Sequence, residues 1–177
     1  LYSDEFNPRQ GDFILCRTTA PLVQRCLEQI RLGRKASVKG RDIGQALTAF
    51  VKLSKADLSS TLPDVLERLG KYFHTQHSKL SSQRREAAML ALEDKYDTIL
   101  ALSDQVSTYE GLLSSIDEIF SDQVAEITFS TVHKAKGLEG DTVWILCPEL
   151  MPHPKSKDLG AELNIKYVAT TRAKLSL

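Results

Sequence analysis

Apolar residues follow three kinds of spacing along the 177-residue chain, and the spacing changes where the elements change. Phe13-Ile14-Leu15-Cys16 is an unbroken apolar run, Ile127 and Phe129 alternate with polar neighbours, and Val143-Trp144-Ile145-Leu146 is unbroken again. Short apolar runs bounded by turn residues predict strands covered on both faces, the arrangement of a parallel α/β sheet. Behind the first run, Pro21 suits a first helical turn, where its missing N–H costs nothing. Leu22, Val23, Cys26, Leu27 and Ile30 then share one helical face, and Gly33 is placed to end the helix. Residues 36–38 read as a short extended piece before Gly40.

From Arg41 to about Gln123 the period is helical throughout. Ile43, Leu47, Phe50 and Val51 form one stripe, and Leu62, Val65, Leu66, Leu69 and Phe73 a second behind a Thr61-to-Asp64 start. Met89, Leu92, Tyr96, Ile99 and Val106 form a third. A fourth (Leu112, Leu113, Ile116, Ile119, Phe120) follows Ser107 and Glu110 at capping-box spacing. Residues 151–160 read as a surface loop and residues 161–173 as a helix with Leu163, Tyr167 and Val168 inward. Leu175-Ser176-Leu177 alternates like the opening of a strand. The predicted order is β–α–four helices–β–loop–β–loop–α–β, an α/β fold with a parallel sheet, covering helices and an all-helical insertion.

Composition narrows this picture only a little. Lysine plus arginine and aspartate plus glutamate both total 23, so the net charge does not suggest a polyanionic partner. The distribution is uneven: residues 31–55 hold seven bases and one acid, while residues 110–126 hold five acids and no base. The basic segment fits either a phosphate-tracking surface or a solvated helix face. Cys16, Cys26 and Cys147 each lie in an apolar pattern without a CxxC pair, which predicts reduced, buried thiols in a cytoplasmic protein. No apolar run approaches the ~18 residues of a membrane span. The start at Leu1 and the end inside an apolar pattern lead us to expect a piece of a longer polypeptide.

The densest candidate chemistry lies between the second and third predicted strands. Thr131-Val132-His133-Lys134-Ala135-Lys136-Gly137-Leu138-Glu139 packs a hydroxyl, an imidazole, two ammonium groups, a glycine and a carboxylate into nine residues. Loops at the ends of parallel strands are where α/β proteins place binding groups. This string, and the later Tyr167-Val168-Ala169-Thr170-Thr171-Arg172-Ala173, resemble motifs V and VI of the UvrD/Rep-like superfamily 1 helicases. The stretch Asp12-Phe13-Ile14-Leu15-Cys16-Arg17-Thr18-Thr19-Ala20 resembles the strand and turn that open the second RecA-like domain of that family. The three blocks stand in family order around a helical insertion shorter than the family's usual one.

The resemblance implies the C-terminal, second RecA-like domain of an ATP-driven DNA motor, with residues 1–40 and 124–177 as its body and 41–123 as the insertion. ATP with Mg²⁺ would lie between this domain and the N-terminal RecA-like domain of the same protein, which would supply most ligands. Single-stranded DNA, or a duplex junction, is the implied nucleic-acid partner. By the same resemblance Arg172 is the finger that reaches the γ-phosphate, a role suited to a guanidinium because charge on the transferring phosphoryl oxygens must be neutralised. Glu139 would hold the ribose hydroxyls and Gly137 would admit a phosphate close to the backbone. Thr131, His133, Lys136, Arg17 and Thr18 would contact the DNA strand or relay nucleotide state to it. His133 is open to a second reading, in which its imidazole only holds the loop.

The sequence departs from the family at named places. Gly140 stands where the family has a bulky residue, Thr19 where it often has asparagine, and Leu1-Tyr2-Ser3 lacks the family's other γ-phosphate arginine. No GxxxxGK[ST] phosphate loop occurs, so the 177 residues alone are expected not to hydrolyse ATP. Two alternatives stand beside the helicase domain: a non-catalytic nucleic-acid or protein-interaction module that kept the fold, and the helicase part of a recombination helicase–nuclease. Bland roles are expected for Lys134 (solvated), Tyr167 and Trp144 (packed core), and His74 with His77 (solvated, not metal ligands).

Overall fold

The computed structural model describes residues 6–57, 60–121 and 124–177. Leu1-Tyr2-Ser3 and the expected insertion boundary at Gln123 lie outside them. Within them the strands are β1 (Phe13–Cys16), β2 (Ala36–Val38), β3 (Ile127–Thr131), β4 (Gly140–Ile145) and β5 (Ala173–Ser176). They form one sheet in the order β2-β3-β1-β4-β5, with every neighbouring pair parallel. The helices are α1 (Ala20–Arg31), α2 (Arg41–Lys52), α3 (Leu62–Ser82), α4 (Glu86–Ser103), α5 (Tyr109–Ile119) and α6 (Leu159–Thr170). This is an α/β domain of RecA-like class, with α2 to α5 inserted in succession between β2 and β3. No helix of the described residues is long and apolar enough to cross a membrane.

Central strand β1 is buried along its whole length because both faces of the sheet are covered. Ile14 and Cys16 face the larger cluster, which joins α1 to the four inserted helices through Phe129, Leu22, Leu47, Leu102 and Ile116. Phe13 and Leu15 face a smaller cluster with Val143, Met151 and Ala169, against which Ile165 and Val168 of α6 pack. Val132 and Ala135 belong to this second cluster as well. The 132–139 connection therefore crosses the sheet over β1, buries two small apolar side chains and turns its polar ones outward. It does the work of a crossover helix in eight residues.

Local chemistry explains most element ends. Thr61 caps α3 by accepting from the Asp64 amide at 3.3 Å, as its position predicts. The cap of α5 falls one residue later than the predicted Ser107: Thr108 Oγ1 accepts from the Gly111 amide at 3.0 Å. Helix α1 has no cap of its own. Asp94, on α4, accepts instead from the Thr19 and Ala20 amides at 2.7 and 3.3 Å, a cap delivered from a different helix. Gly140 has a packing reason: an added Cβ would stand 2.9 Å from Cβ of Phe13, which fills the space a bulky residue would take.

Helix α6 departs from its expected orientation. It spans Leu159–Thr170, and its inward residues are Glu162, Ile165, Val168 and Ala169. Leu163 and Tyr167, expected inward, are 51% and 68% exposed. Apolar residues lie all round this helix, so their spacing does not select a face. A buried ion pair at Glu162 selects it instead. Trp144 is only half-buried. Its indole N–H donates to Asp12 at 2.7 Å and its ring meets Phe6 edge-on.

Candidate functional site

The parallel sheet separates the candidate residues into two sets. Arg17 and Thr18 follow the C-terminal end of β1, and Thr131 and His133 lie at the C-terminal end of β3. Glu139 and Arg172 immediately precede β4 and β5, so they belong to the opposite end of the sheet. A strand of four to six residues spans roughly 13–20 Å, which sets the separation between the two ends.

At the C-terminal end, Arg17, Thr18, Thr131 and His133 line one cleft of about 740 Å³. Its far walls come from α2, α4 and the start of α6, through Asp42, Asp94, Lys95 and Glu162. Thr131 is buried at the cleft edge, and its carbonyl accepts from the Lys134 and Ala135 amides at 3.0 Å each. Partial burial, and then the nearby Arg17 charge, push the His133 imidazole below its ordinary pKa, so it is neutral at pH 7. Lys136 lies outside this cleft, on the exposed part of the crossover loop.

Arg17 does not face the cleft as a free cation. Its Nε and Nη2 donate to Glu162 Oε2 and Oε1 at 3.0 and 2.7 Å, a bidentate fork with side chains 17% and 4% exposed. The His153 amide donates to the same carboxylate at 3.0 Å. The Arg17 hydrogen bonds hold the Glu162 carboxyl below the usual glutamate range. A DNA contact by Arg17 would therefore come from a guanidinium already engaged by Glu162. Nothing in the sequence marks Glu162 or Asp94 as partners, since both are far from the loop they hold.

The N-terminal end is built differently. The Gly140 amide donates to the Arg172 carbonyl at 3.0 Å, which zips β4 to β5 at their first residues. Arg172 donates from Nε to the Val168 carbonyl, from Nη1 to the Leu138 carbonyl and from Nη2 to Thr171 Oγ1, at 3.0, 3.3 and 3.1 Å. All three acceptors are neutral, and among the described residues no carboxylate forms an ion pair with the guanidinium. Its contact with Leu138 sets it one residue from Glu139, whose exposed carboxylate lies 3.7 Å from Lys174 Nζ. Gly137 has φ +85°, and an added Cβ there would meet nothing within 4 Å.

The remaining candidates need no function. Lys134 pairs with Asp42 at 2.6 Å rather than standing free, and His77 pairs with Glu93 at 3.0 Å. No group of three metal-ligating side chains occurs among the described residues.

A five-stranded parallel sheet, with Arg172 and Glu139 at one end and a polar cleft at the other, defines an α/β domain. Residues 28–177 match the UvrD-like helicase C-terminal domain, and the chain belongs to that family. Over 165 residues, 84% of this chain and 23% of the relative, it is 28% identical to the ATP-dependent DNA helicase UvrD2 of Mycobacterium tuberculosis, and likewise to that of Mycobacterium bovis. A 54-residue stretch, 29% of this chain and 6% of the relative, is 44% identical to the ATP-dependent DNA helicase srs2 of Schizosaccharomyces pombe. The chain spans less than a quarter of the length of these curated relatives.

Proposed function

We propose that this chain is the second motor domain of an ATP-dependent DNA helicase, supplying half of a nucleotide site and part of a single-strand track. One observation carries the reading: Arg172 and Glu139 stand side by side at one open end of the sheet, where a single ligand can meet both. The residues suit ATP in charge and shape. A guanidinium held by neutral acceptors matches phosphate oxygens, a carboxylate matches ribose hydroxyls, and Gly137 leaves the backbone open. ATP would supply the transferable phosphoryl group. Arg172 would exchange its neutral acceptors for phosphate oxygens and neutralise the charge that develops on them. The Mg²⁺ ligands and the phosphate cradle belong, in this reading, to an N-terminal RecA-like domain that closes on this corner.

Thr18, Thr131, His133 and Lys136 are assigned to the DNA side, as neutral donors and one ammonium suited to backbone phosphates. Arg17 becomes a positioning residue that fixes the 17–19 loop through Glu162. The body is residues 1–40 with 124–177, and 41–123 is the insertion. The succession of α2 to α5 with no intervening strand supports that division.

Arg172→Ala in the full-length protein tests the reading. Single-strand-stimulated ATP hydrolysis should fall about 10³-fold or more while nucleotide affinity stays within a few-fold. Unchanged turnover would refute the assignment. Residues 1–177 alone should show no ATPase activity with saturating single-stranded DNA, and measurable turnover would mean a complete site within this chain.

A further inference from the structure

We propose that Cys16 and Cys147 form a redox-active thiol pair that closes to an intramolecular disulfide on reaction with hydrogen peroxide. The inference does not depend on the helicase reading. Cys16 ends β1, and β1 and β4 pair with Leu15 opposite Ile145. The Leu146 amide donates to the Leu15 carbonyl at 2.8 Å, which carries the register one step beyond the strand. Cys147 therefore lies one step diagonal to Cys16 on the adjacent chain. Strand spacing and rise put their Cα atoms roughly 6 Å apart, within the span of roughly 4.4–6.8 Å that a disulfide bridges.

Strand alternation alone would turn Cys147 to the face that Ile145 occupies, away from Cys16. The backbone prevents this. Cys147 adopts φ 49° and ψ 57°, a left-handed conformation uncommon for a residue with a side chain. Its side chain accordingly packs against the same cluster that contains Cys16. There the two residues share one cluster, with Cys16 fully buried and 4.0 Å from Thr18 Oγ1 and Cys147 half-buried.

The two sulfurs have different chemistry. The neighbouring Cys16 thiol favours the Cys147 thiolate and, with the Arg25 charge, outweighs burial and the Glu149 charge to bring its pKa down to about 7. The neighbouring Cys147 sulfur and burial raise the Cys16 pKa. Cys26, buried in α1, is pushed up to about 12. Thiolate fraction and access together set reactivity, so Cys147 is the attacking sulfur and Cys16 the resolving one.

In the first step a lone pair of the Cys147 thiolate attacks one peroxide oxygen and the O–O bond breaks. This leaves a sulfenic acid and a hydroxide that becomes water. In the second, Cys16 sulfur attacks the Cys147 sulfur, the S–O bond breaks, and hydroxide departs with the Cys16 proton as a second water. Two thiols and one peroxide give a disulfide and two waters. The bond ties the residue preceding Arg17 to the end of β4.

Peptide mapping of the full-length protein after hydrogen peroxide treatment at neutral pH and alkylation of remaining thiols tests the pair. The expected product is a single cross-linked species joining the Cys16 and Cys147 peptides, two hydrogens lighter and restored by dithiothreitol, with Cys26 still reduced. Cys147→Ser, at the half-buried position, should abolish the cross-link and leave Cys16 reduced. Cys16→Ala should raise dimedone trapping of Cys147 several-fold, because the sulfenic acid is no longer resolved. Recovery of Cys147 unmodified, or as sulfinic acid with Cys16 still a thiol, would overturn the proposal.

Discussion

The two ends of the sheet use similar residue types to opposite effect. At the C-terminal end the charges satisfy one another: Arg17 is held by Glu162, the α1 amides are capped by Asp94, and Lys155 with His77 brackets Glu93. At the N-terminal end Arg172 is held, among the described residues, by neutral acceptors, while the exposed Glu139 meets Lys174 at 3.7 Å and Gly137 is exposed. An end whose charges are internally paired is finished as a structure. An end whose arginine is oriented by neutral acceptors is, on the proposed function, the one that takes a ligand. The two are joined by two short spans, the 132–139 crossover and α6, whose twelve residues extend about 18 Å, with Glu162 near one end and Arg172 just past the other.

The largest expected effect tests whether stability really resides at one end. Glu162→Ala leaves Arg17 buried without its partner and should cost about 3–5 kcal/mol in denaturant unfolding. Glu139→Ala, on the surface, should stay within about 0.5 kcal/mol. Equal losses would end the contrast. Acid should separate them as well. The folded-state pKa of Glu162 is lowered, so its stabilisation is complete above the ordinary carboxylate value near pH ~4.3. It is lost as pH falls through the folded value. Wild-type stability should therefore drop more steeply than that of Glu162→Gln below about pH 5.

A smaller effect concerns two glycines on the crossover side. An alanine Cβ at Gly140 would press on Phe13 Cβ at 2.9 Å, and neither atom belongs to a flexible side-chain end. Gly140→Ala should cost about 1–3 kcal/mol, through packing. Gly137→Ala meets open space and should cost about 1–2 kcal/mol, through its left-handed backbone alone. Refilling space discriminates between them. A second substitution that removes the neighbouring Cβ, Phe13→Gly, should leave the Gly137→Ala cost unchanged but lower the Gly140→Ala cost, read as non-additivity in unfolding free energy.

Much of this arrangement was legible in the residues. The apolar runs at 13–16 and 143–145, and the alternation of Ile127 and Phe129 with polar neighbours, mark the three central strands. Glu139 and Arg172 are adjacent because each precedes a strand, and neighbouring parallel strands bring their starts together. What could not be read is set by contacts between distant residues. Glu162 looks like a solvated helix glutamate until Arg17, far away in the chain, is folded against it. Tyr167 and Leu163 look like core until that ion pair turns α6 and sends them outward. Asp94 caps a helix it is not part of, and capping rules read only local neighbours.

The smallest effect probes whether the crossover is tied to the inserted helices. Lys134 sits in the middle of the 132–139 span and its ammonium meets Asp42 of α2 at 2.6 Å, with side chains 44% and 63% exposed. The Asp42 carboxyl is correspondingly held below its ordinary pKa, first by this hydrogen bond. Exposed pairs of this kind give up most of their Coulomb energy to water and to side-chain ordering, so the pair should contribute only about 0.2–0.5 kcal/mol. A double-mutant cycle with Lys134→Ala and Asp42→Ala isolates that coupling, and raising the salt concentration should erase it. A salt-resistant coupling well above 1 kcal/mol would mean the crossover is braced by the insertion as firmly as the 17–19 loop is braced by Glu162. In that case the division into a paired end and a receptive end would not extend to the loop that connects them.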